Sequence, residues 1–124
     1  MSGSLKLKSE KCWELADTLR GSDDFNNSAS RMYYSVFQAV VYYAMKKKGY
    51  DPEEAQRRRE NAHNTMNRIV DEEISQYADS YEEMRQLRNK ADYDPEDVVA
   101  SDFGHHFIVE MQGIRSFFLT EAER

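Results

Sequence analysis

The feature that most constrains the fold is the segment Arg31–Met45, with the sequence RMYYSVFQAVVYYAM. It contains no glycine, no proline and no acidic residue. Apolar and aromatic residues occur at nearly every angle around a helix of 3.6 residues per turn, a pattern typical of a helix buried on most sides. We therefore predict that this segment forms a central helix and that the rest of the chain packs around it.

One stripe of this central helix is polar. Arg31, Ser35, Gln38 and Tyr42 follow a spacing of four, three and four residues, so they lie along one face. Polar groups on an otherwise apolar helix require water, a partner chain or a binding site. The wet edge of a helical bundle is the default interpretation, and the lining of a cleft between two copies of the chain is the alternative.

The composition predicts an all-α fold. Of the 124 residues, 32% are charged, and only five are glycine and two proline, which favours helix over sheet. The sequence contains no strand pattern and no linker. We predict one domain over residues 1–124, built as an antiparallel up-and-down bundle of four to five helices. Residues 1–4 are expected to be disordered or to be a cloning remnant.

Capping and breaking signals give the approximate helix bounds. Asn26, Asn27 or Ser28 is expected to cap the central helix, and Gly49 is expected to follow its end. The turn at Asp94–Asp97 is expected to cap a final helix that carries Val99 and Phe103 on its apolar face. The other predicted helices cover residues 5 to 20, 60 to 74 and 77 to about 93.

The charge and the apolar pattern exclude several classes of protein. A net charge of -6 and a pI near 5.1 argue against broad, non-specific binding to nucleic acid, although they allow a local basic site. No apolar run approaches the ~18 residues of a membrane span, and the N-terminus lacks a signal-peptide core. The single cysteine, Cys12, excludes an intrachain disulfide. We expect a cytoplasmic protein.

No catalytic motif of high specificity is present, whether a phosphate-binding glycine loop or a metalloprotease helix. His105 and His106 are adjacent, and only Glu110 is spaced to share a metal with them, so we predict neither a metal nor a cofactor. His63 lies near the start of a helix beside its apolar stripe. It is either a satisfied boundary residue or a general acid or base, because histidine titrates near neutral pH.

The segment RNKADY at Arg88–Tyr93 places a cation, an acid and a phenol at one helix end. Arginine is suited to hold a phosphate through its planar fork of donors. In the alternative interpretation, Arg88 pairs with Asp92 to close the helix and Tyr93 packs against the bundle.

Three parts of the sequence together resemble the HEPN (higher eukaryotes and prokaryotes nucleotide-binding) family. They are RMYYSVF at Arg31–Phe37, the histidine at His63, and LRNKADY at Leu87–Tyr93. The resemblance spans residues 5 to about 120 and is strongest to the small stand-alone prokaryotic branch with an Arg-x-x-x-Asp-Tyr motif. It implies a helical bundle that is usually a homodimer with a cleft between the protomers.

Many members of this family are metal-independent endoribonucleases, and many are toxins paired with a minimal nucleotidyltransferase antitoxin. By the resemblance, Arg88 matches the motif arginine, whereas Tyr93 stands where the family has a histidine. With an ordinary pKa of about 10, tyrosine is a poor base at neutral pH. His63 would supply an imidazole only if the fold brings it to Arg88.

The resemblance leads to two functional hypotheses. The first is a toxin-like endoribonuclease with a composite site at a dimer cleft. Its catalytic residues would be Arg88, Asp92, Tyr93 and His63, and its phosphate-binding or nucleotide-binding residues would be Arg31, Arg88, Lys90 and Tyr34. The second is a non-catalytic HEPN module that binds a nucleotide or a nucleotidyltransferase partner. A purely structural bundle remains a third interpretation.

Overall fold

A computed structural model of the chain describes residues 2–124, except for the side chains at positions 2, 3 and 105. Within this range there are six α-helices, two short 3-10 turns and no strand, which confirms the predicted all-α helical bundle. None of these helices is long and apolar enough to cross a membrane. The helices are α1 (Ser2–Gly21), α2 (Phe25–Lys47), α3 (Pro52–Arg57), α4 (Ala62–Glu73), α5 (Ala78–Tyr93) and α6 (His105–Ala122).

Helix α2 is the centre of the bundle, as its sequence predicts. It packs against α1, α4, α5 and α6. Met32, Tyr33, Val36 and Val40 are fully buried along it. Because one helix contributes to every major interface, a side chain on α2 can connect residues that are far apart in the sequence.

The direction of each helix follows from paired contacts along its length. Ser9 of α1 bonds to Ser35 of α2, and Ser28 bonds to Ala16, so these two helices are antiparallel. Asn64 and Asn67 of α4 bond to Arg85 and Glu82 of α5, respectively, so these helices are antiparallel as well.

Helices α2 and α4 instead run parallel within the bundle. Tyr33, in the N-terminal half of α2, bonds to His63 in the first turn of α4, and Tyr43 bonds to Glu73 near the ends of both helices. Helix α3 and its flanking loops return the chain between them. The parallel arrangement brings the first turn of α4 beside Tyr33 rather than beside the end of α2.

The polar stripe on α2 has a different role from the one expected. Ser35 is fully buried and Tyr42 is 4% exposed, so the wet-edge interpretation is wrong for both. The hydroxyl of Ser35 donates to the Ser9 carbonyl over 2.6 Å, and the Ser9 hydroxyl donates to the Ser35 carbonyl over 2.7 Å. Only Arg31 of the stripe is exposed, so the stripe gives no support to a cleft between two copies.

Several predicted helix ends require correction. Helix α1 begins at Ser2, so residues 2–4 are helical, whereas Met1 lies outside the described residues. Asp24 caps α2 by accepting from the Asn27 backbone N–H. Helix α6 begins at His105 rather than after Asp97, so Val99 and Phe103 precede it.

Asn26 has a structural role that its expected capping function did not predict. Its side chain donates to Asp97 over 3.0 Å and accepts from the Val98 N–H over 2.8 Å. These two bonds hold the α5–α6 connection against the start of α2, with Val98 buried. The final helix is therefore preceded by an anchored loop instead of continuing through it.

We predict that Ser35→Ala lowers the free energy of unfolding by about 1 kcal/mol, because a buried hydrogen bond between α1 and α2 is lost. Urea denaturation measures the change. Ser30→Ala is the control, since Ser30 lies on the same helix and its hydroxyl makes no hydrogen bond in the described structure. Equal stability of the two variants would contradict the importance of this bond.

Candidate functional site

Arg88 on α5 is held between two tyrosine side chains. Its guanidinium donates to the Tyr34 hydroxyl over 2.6 Å and to the Tyr93 hydroxyl over 3.5 Å. The guanidinium carbon lies 5.2 Å from the Tyr34 ring centre and 5.4 Å from the Tyr93 ring centre. Only 14% of the Arg88 side chain is exposed. The group is therefore positioned by aromatic contacts as well as by hydrogen bonds.

Asp92 lies one turn further along α5 and balances the charge of Arg88. The Arg88 Nε atom is 2.9 Å from Asp92 Oδ2, an ion pair in which the Nε hydrogen is not directed at the oxygen. Burial disfavours the charged arginine, but Tyr34, Tyr93 and Asp92 outweigh burial and raise its pKa. The structure thus contains the Arg–Asp pair of the alternative interpretation. Tyr93, in contrast, is 73% exposed and does not pack into the bundle.

His63 occupies the first turn of α4, two residues after the capping residue Asn61. Its Nδ1 atom lies 2.5 Å from the hydroxyl of the fully buried Tyr33. Its ring stacks on Phe37 with a centroid distance of 4.7 Å. Burial, followed by the charges of Arg85 and Arg88, lowers the pKa of His63. The imidazole is therefore mainly neutral at physiological pH.

The fold brings His63 into electrostatic range of Arg88, which the sequence alone did not establish. Helix α2 provides the connection: Tyr33 contacts His63, and its neighbour Tyr34 contacts Arg88. We use the name Arg88 site for the group formed by Tyr34, His63, Arg85, Arg88, Asp92 and Tyr93. The structure assembles it from α2, α4 and α5.

Arg85 is a member of the site that the sequence interpretation missed. It donates to the Asn64 side chain over 3.0 Å. Burial is the main cause of the lowered pKa of His63 and of the raised pKa of Tyr33, and the charge of Arg85 adds to the first shift and opposes the second. The available signal was its position three residues before Arg88, which places both cations on one side of α5. The motif that carries the family resemblance begins at Leu87, so it does not include Arg85.

Two other predicted phosphate ligands have different surroundings. Lys90 forms an ion pair with Asp102 over 3.4 Å, and it shares with Tyr93 an open groove of about 370 Å³. Arg31 is exposed, and no contact in the described chain connects it with Arg88. Lys90 is therefore adjacent to the Arg88 site through Tyr93, whereas Arg31 is not part of it.

The described residues contain no cluster of three or more histidine, cysteine or acidic side chains suited to a metal ion. His106 pairs with Glu110 at the start of α6 and is well exposed. The side chain of His105 lies outside the described part of the structure. The side chains of the Arg88 site provide hydrogen-bond donors, one carboxylate, one imidazole and aromatic rings.

The lowered pKa of His63 predicts a pH-dependent stability. Below its ordinary value of 6.5, the unfolded chain binds a proton more readily than the folded chain does. The contribution of the neutral His63 side chain to the free energy of unfolding is therefore fully present above pH 6.5. It decreases as the pH falls toward the pKa of His63 in the folded chain. We predict that His63→Gln reduces the slope of unfolding free energy between about pH 6.5 and 5.

The exposed residue His106 supplies the control for this measurement, because His106→Gln removes an imidazole outside the Arg88 site. Urea titrations at a series of pH values would compare both variants with the wild type. An unchanged slope in His63→Gln would show that His63 titrates alike in the folded and unfolded chains.

Comparisons of the chain with protein-family models, curated proteins and solved structures gave no match. The function therefore has to be inferred from the Arg88 site itself. Its central geometry is a covered arginine between two phenols, with a second arginine and a mainly neutral histidine nearby.

Proposed function

We propose that this protein is a HEPN-like module whose Arg88 site binds the phosphate of a nucleotide or a short RNA segment. The observation that carries the proposal is the fixed position of the Arg88 guanidinium between Tyr34 and Tyr93, with Arg85 and His63 nearby. A guanidinium matches the geometry of phosphate oxygens, and its fixed position reduces the entropy lost on binding.

Tyr93 supplies the second part of the proposed nucleotide site. The residue is 73% exposed, and the Arg88 guanidinium lies over its ring. An exposed aromatic ring beside a phosphate-binding cation provides a surface for stacking a base. The adjoining groove, with Lys90 on its wall, offers space for the sugar and base.

The overall charge is consistent with a small ligand. With a net charge of -6, the chain lacks the excess of cations that binding a long duplex requires. The positive groups of the Arg88 site are confined to adjacent turns of α5. Such a site suits one or two phosphates of a nucleotide or a single-stranded RNA.

We predict opposite effects from the two partners of the ion pair. Arg88→Gln should weaken binding of adenosine 5′-monophosphate about tenfold or more, because charge-assisted hydrogen bonds are lost. Asp92→Asn should tighten binding by about threefold to fivefold, because the carboxylate no longer competes for Arg88 or repels the phosphate. Isothermal titration calorimetry at low salt measures both changes.

Arg57→Gln is the matched control, since it makes the same charge change at an exposed position on α3. Thermal unfolding by circular dichroism would identify any variant that fails to fold. Equal affinities of wild type, Arg88→Gln and Arg57→Gln would reject the Arg88 site as the place of phosphate binding.

Ribonuclease activity is the second candidate, because the mainly neutral His63 lies within electrostatic range of Arg88. In this mechanism the histidine would accept a proton from an RNA 2′-OH while Arg88 stabilises charge on the phosphate. Cleavage of a single-stranded RNA by the purified chain, abolished by both Arg88→Gln and His63→Gln, would favour the enzyme. Binding without cleavage would favour the module.

The resemblance also leads us to propose a biological setting: a cytoplasmic, prokaryotic toxin–antitoxin or defence system. There the chain would form a homodimer and pair with a minimal nucleotidyltransferase. Sedimentation velocity tests the dimer directly. A monomer at all accessible concentrations would reject a composite site between two copies.

A further inference from the structure

Tyr33 provides a contact that neither functional hypothesis uses. It is fully buried, and its hydroxyl lies 2.5 Å from Nδ1 of His63. A neutral imidazole has one nitrogen that donates and one that accepts, so this contact determines which nitrogen carries the hydrogen. The other nitrogen, Nε2, makes no hydrogen bond within the described chain and is not among its buried unpaired atoms.

Two arrangements of the hydrogens fit the distance between Tyr33 and His63. In the first, Tyr33 donates to Nδ1, and the hydrogen of the imidazole is on Nε2. In the second, Nδ1–H donates to the phenol oxygen, and the hydrogen of Tyr33 must find another acceptor. Nε2 is not among the buried unpaired atoms, so neither arrangement leaves it cut off from solvent.

The surroundings of Tyr33 favour the first arrangement. Burial raises the pKa of Tyr33 to about 12, so the phenol keeps its hydrogen at neutral pH. The buried hydroxyl of Tyr81 interacts with that of Tyr33, but if it accepted the Tyr33 hydrogen its own hydrogen would have no acceptor in the described structure. A buried O–H group without an acceptor is costly, whereas donation to Nδ1 satisfies it.

We propose that Tyr33 is a positioning residue that holds His63 with its hydrogen on Nε2, so that His63 presents an N–H donor to a phosphate bound at the Arg88 site. The part of this inference that concerns phosphate rests on the proposed function. An imidazole held in this form adds a donor to those of Arg85 and Arg88. It does not offer the lone pair that a general base requires at Nε2.

The hydrogen position is measurable without any ligand. Nitrogen-15 NMR of the 124-residue chain above pH 7 reports the form of each ring nitrogen of His63. We expect a protonated Nε2 and a bare Nδ1 in the wild type. In Tyr33→Phe the population of the other tautomer should rise, together with the pKa of His63. Tyr43→Phe is the control, because its hydroxyl donates to Glu73 at the other end of α4, away from His63, and it should leave the tautomer unchanged.

The role in binding is tested by two substitutions at position 63. Glutamine keeps an N–H donor near the position of Nε2 but cannot act as a base, whereas leucine has neither property. We expect His63→Gln to bind adenosine 5′-monophosphate within about twofold of the wild type, and His63→Leu to bind it about fivefold more weakly.

Different results would overturn the role of Tyr33 and the proposed nucleotide binding. A wild-type imidazole protonated on Nδ1 would overturn the role of Tyr33 even if the nucleotide binds. Equal losses of affinity in His63→Gln and His63→Leu would overturn the donor role. An absence of nucleotide binding by the wild type would reject the proposed function, together with the donor role that depends on it, while the NMR result would still decide the role of Tyr33.

Discussion

Burial of α2 among four other helices is the constraint on which the Arg88 site depends. Successive residues on a helix project about 100° apart, so neighbouring side chains on a surrounded helix meet different helices. Tyr33 meets α4 through His63, and Tyr34 meets α5 through Arg88. The site therefore exists because one buried helix places two adjacent phenols toward two neighbours.

Small residues at the interface between α1 and α2 hold these two helices together on another side of α2. Ser9 and Ser35 exchange hydrogen bonds between their hydroxyls and backbone carbonyls, and Ser28 binds the Ala16 carbonyl. Short side chains let two helix backbones approach closely, and their hydroxyls are satisfied by backbone oxygens instead of water. Helix α1 thereby covers this face of α2, and the Arg88 site forms on another face, where α4 and α5 meet α2.

The parts of the fold that were predictable from sequence are those set by local rules. Apolar periodicity located α2, and the start of α3 follows the same kind of local rule, since Asp51 caps it and a proline occupies its first position. Val99 and Phe103 fitted the period of the last helix, yet Val99 is 49% exposed while Phe103 is buried from a loop. Periodicity does not distinguish these cases, because a spacing of four residues also occurs by chance across a turn.

The candidate site was predictable only in part, for a related reason. Arg88, Asp92 and Tyr93 belong to one helix end, so their proximity follows from helical spacing. The approach of His63 depends on α2 and α4 running parallel, which the return through α3 determines. The polar stripe was misinterpreted because Ser35 bonds to Ser9, which is also polar. Two polar residues in a sequence predict exposure and not a buried contact with each other.

The contacts that hold Arg88 without a ligand also set the conditions for binding one. A mostly covered guanidinium needs compensation for lost hydration, and here two phenols and one carboxylate supply it. In the proposed function, a phosphate oxygen would replace the carboxylate of Asp92 while the contacts with Tyr34 remain, so Arg88 would not have to move far to bind. Under the proposed function, the ion pair between Arg88 and Asp92 would therefore oppose phosphate binding, and the affinity would reflect the difference between the two anions rather than the full strength of either.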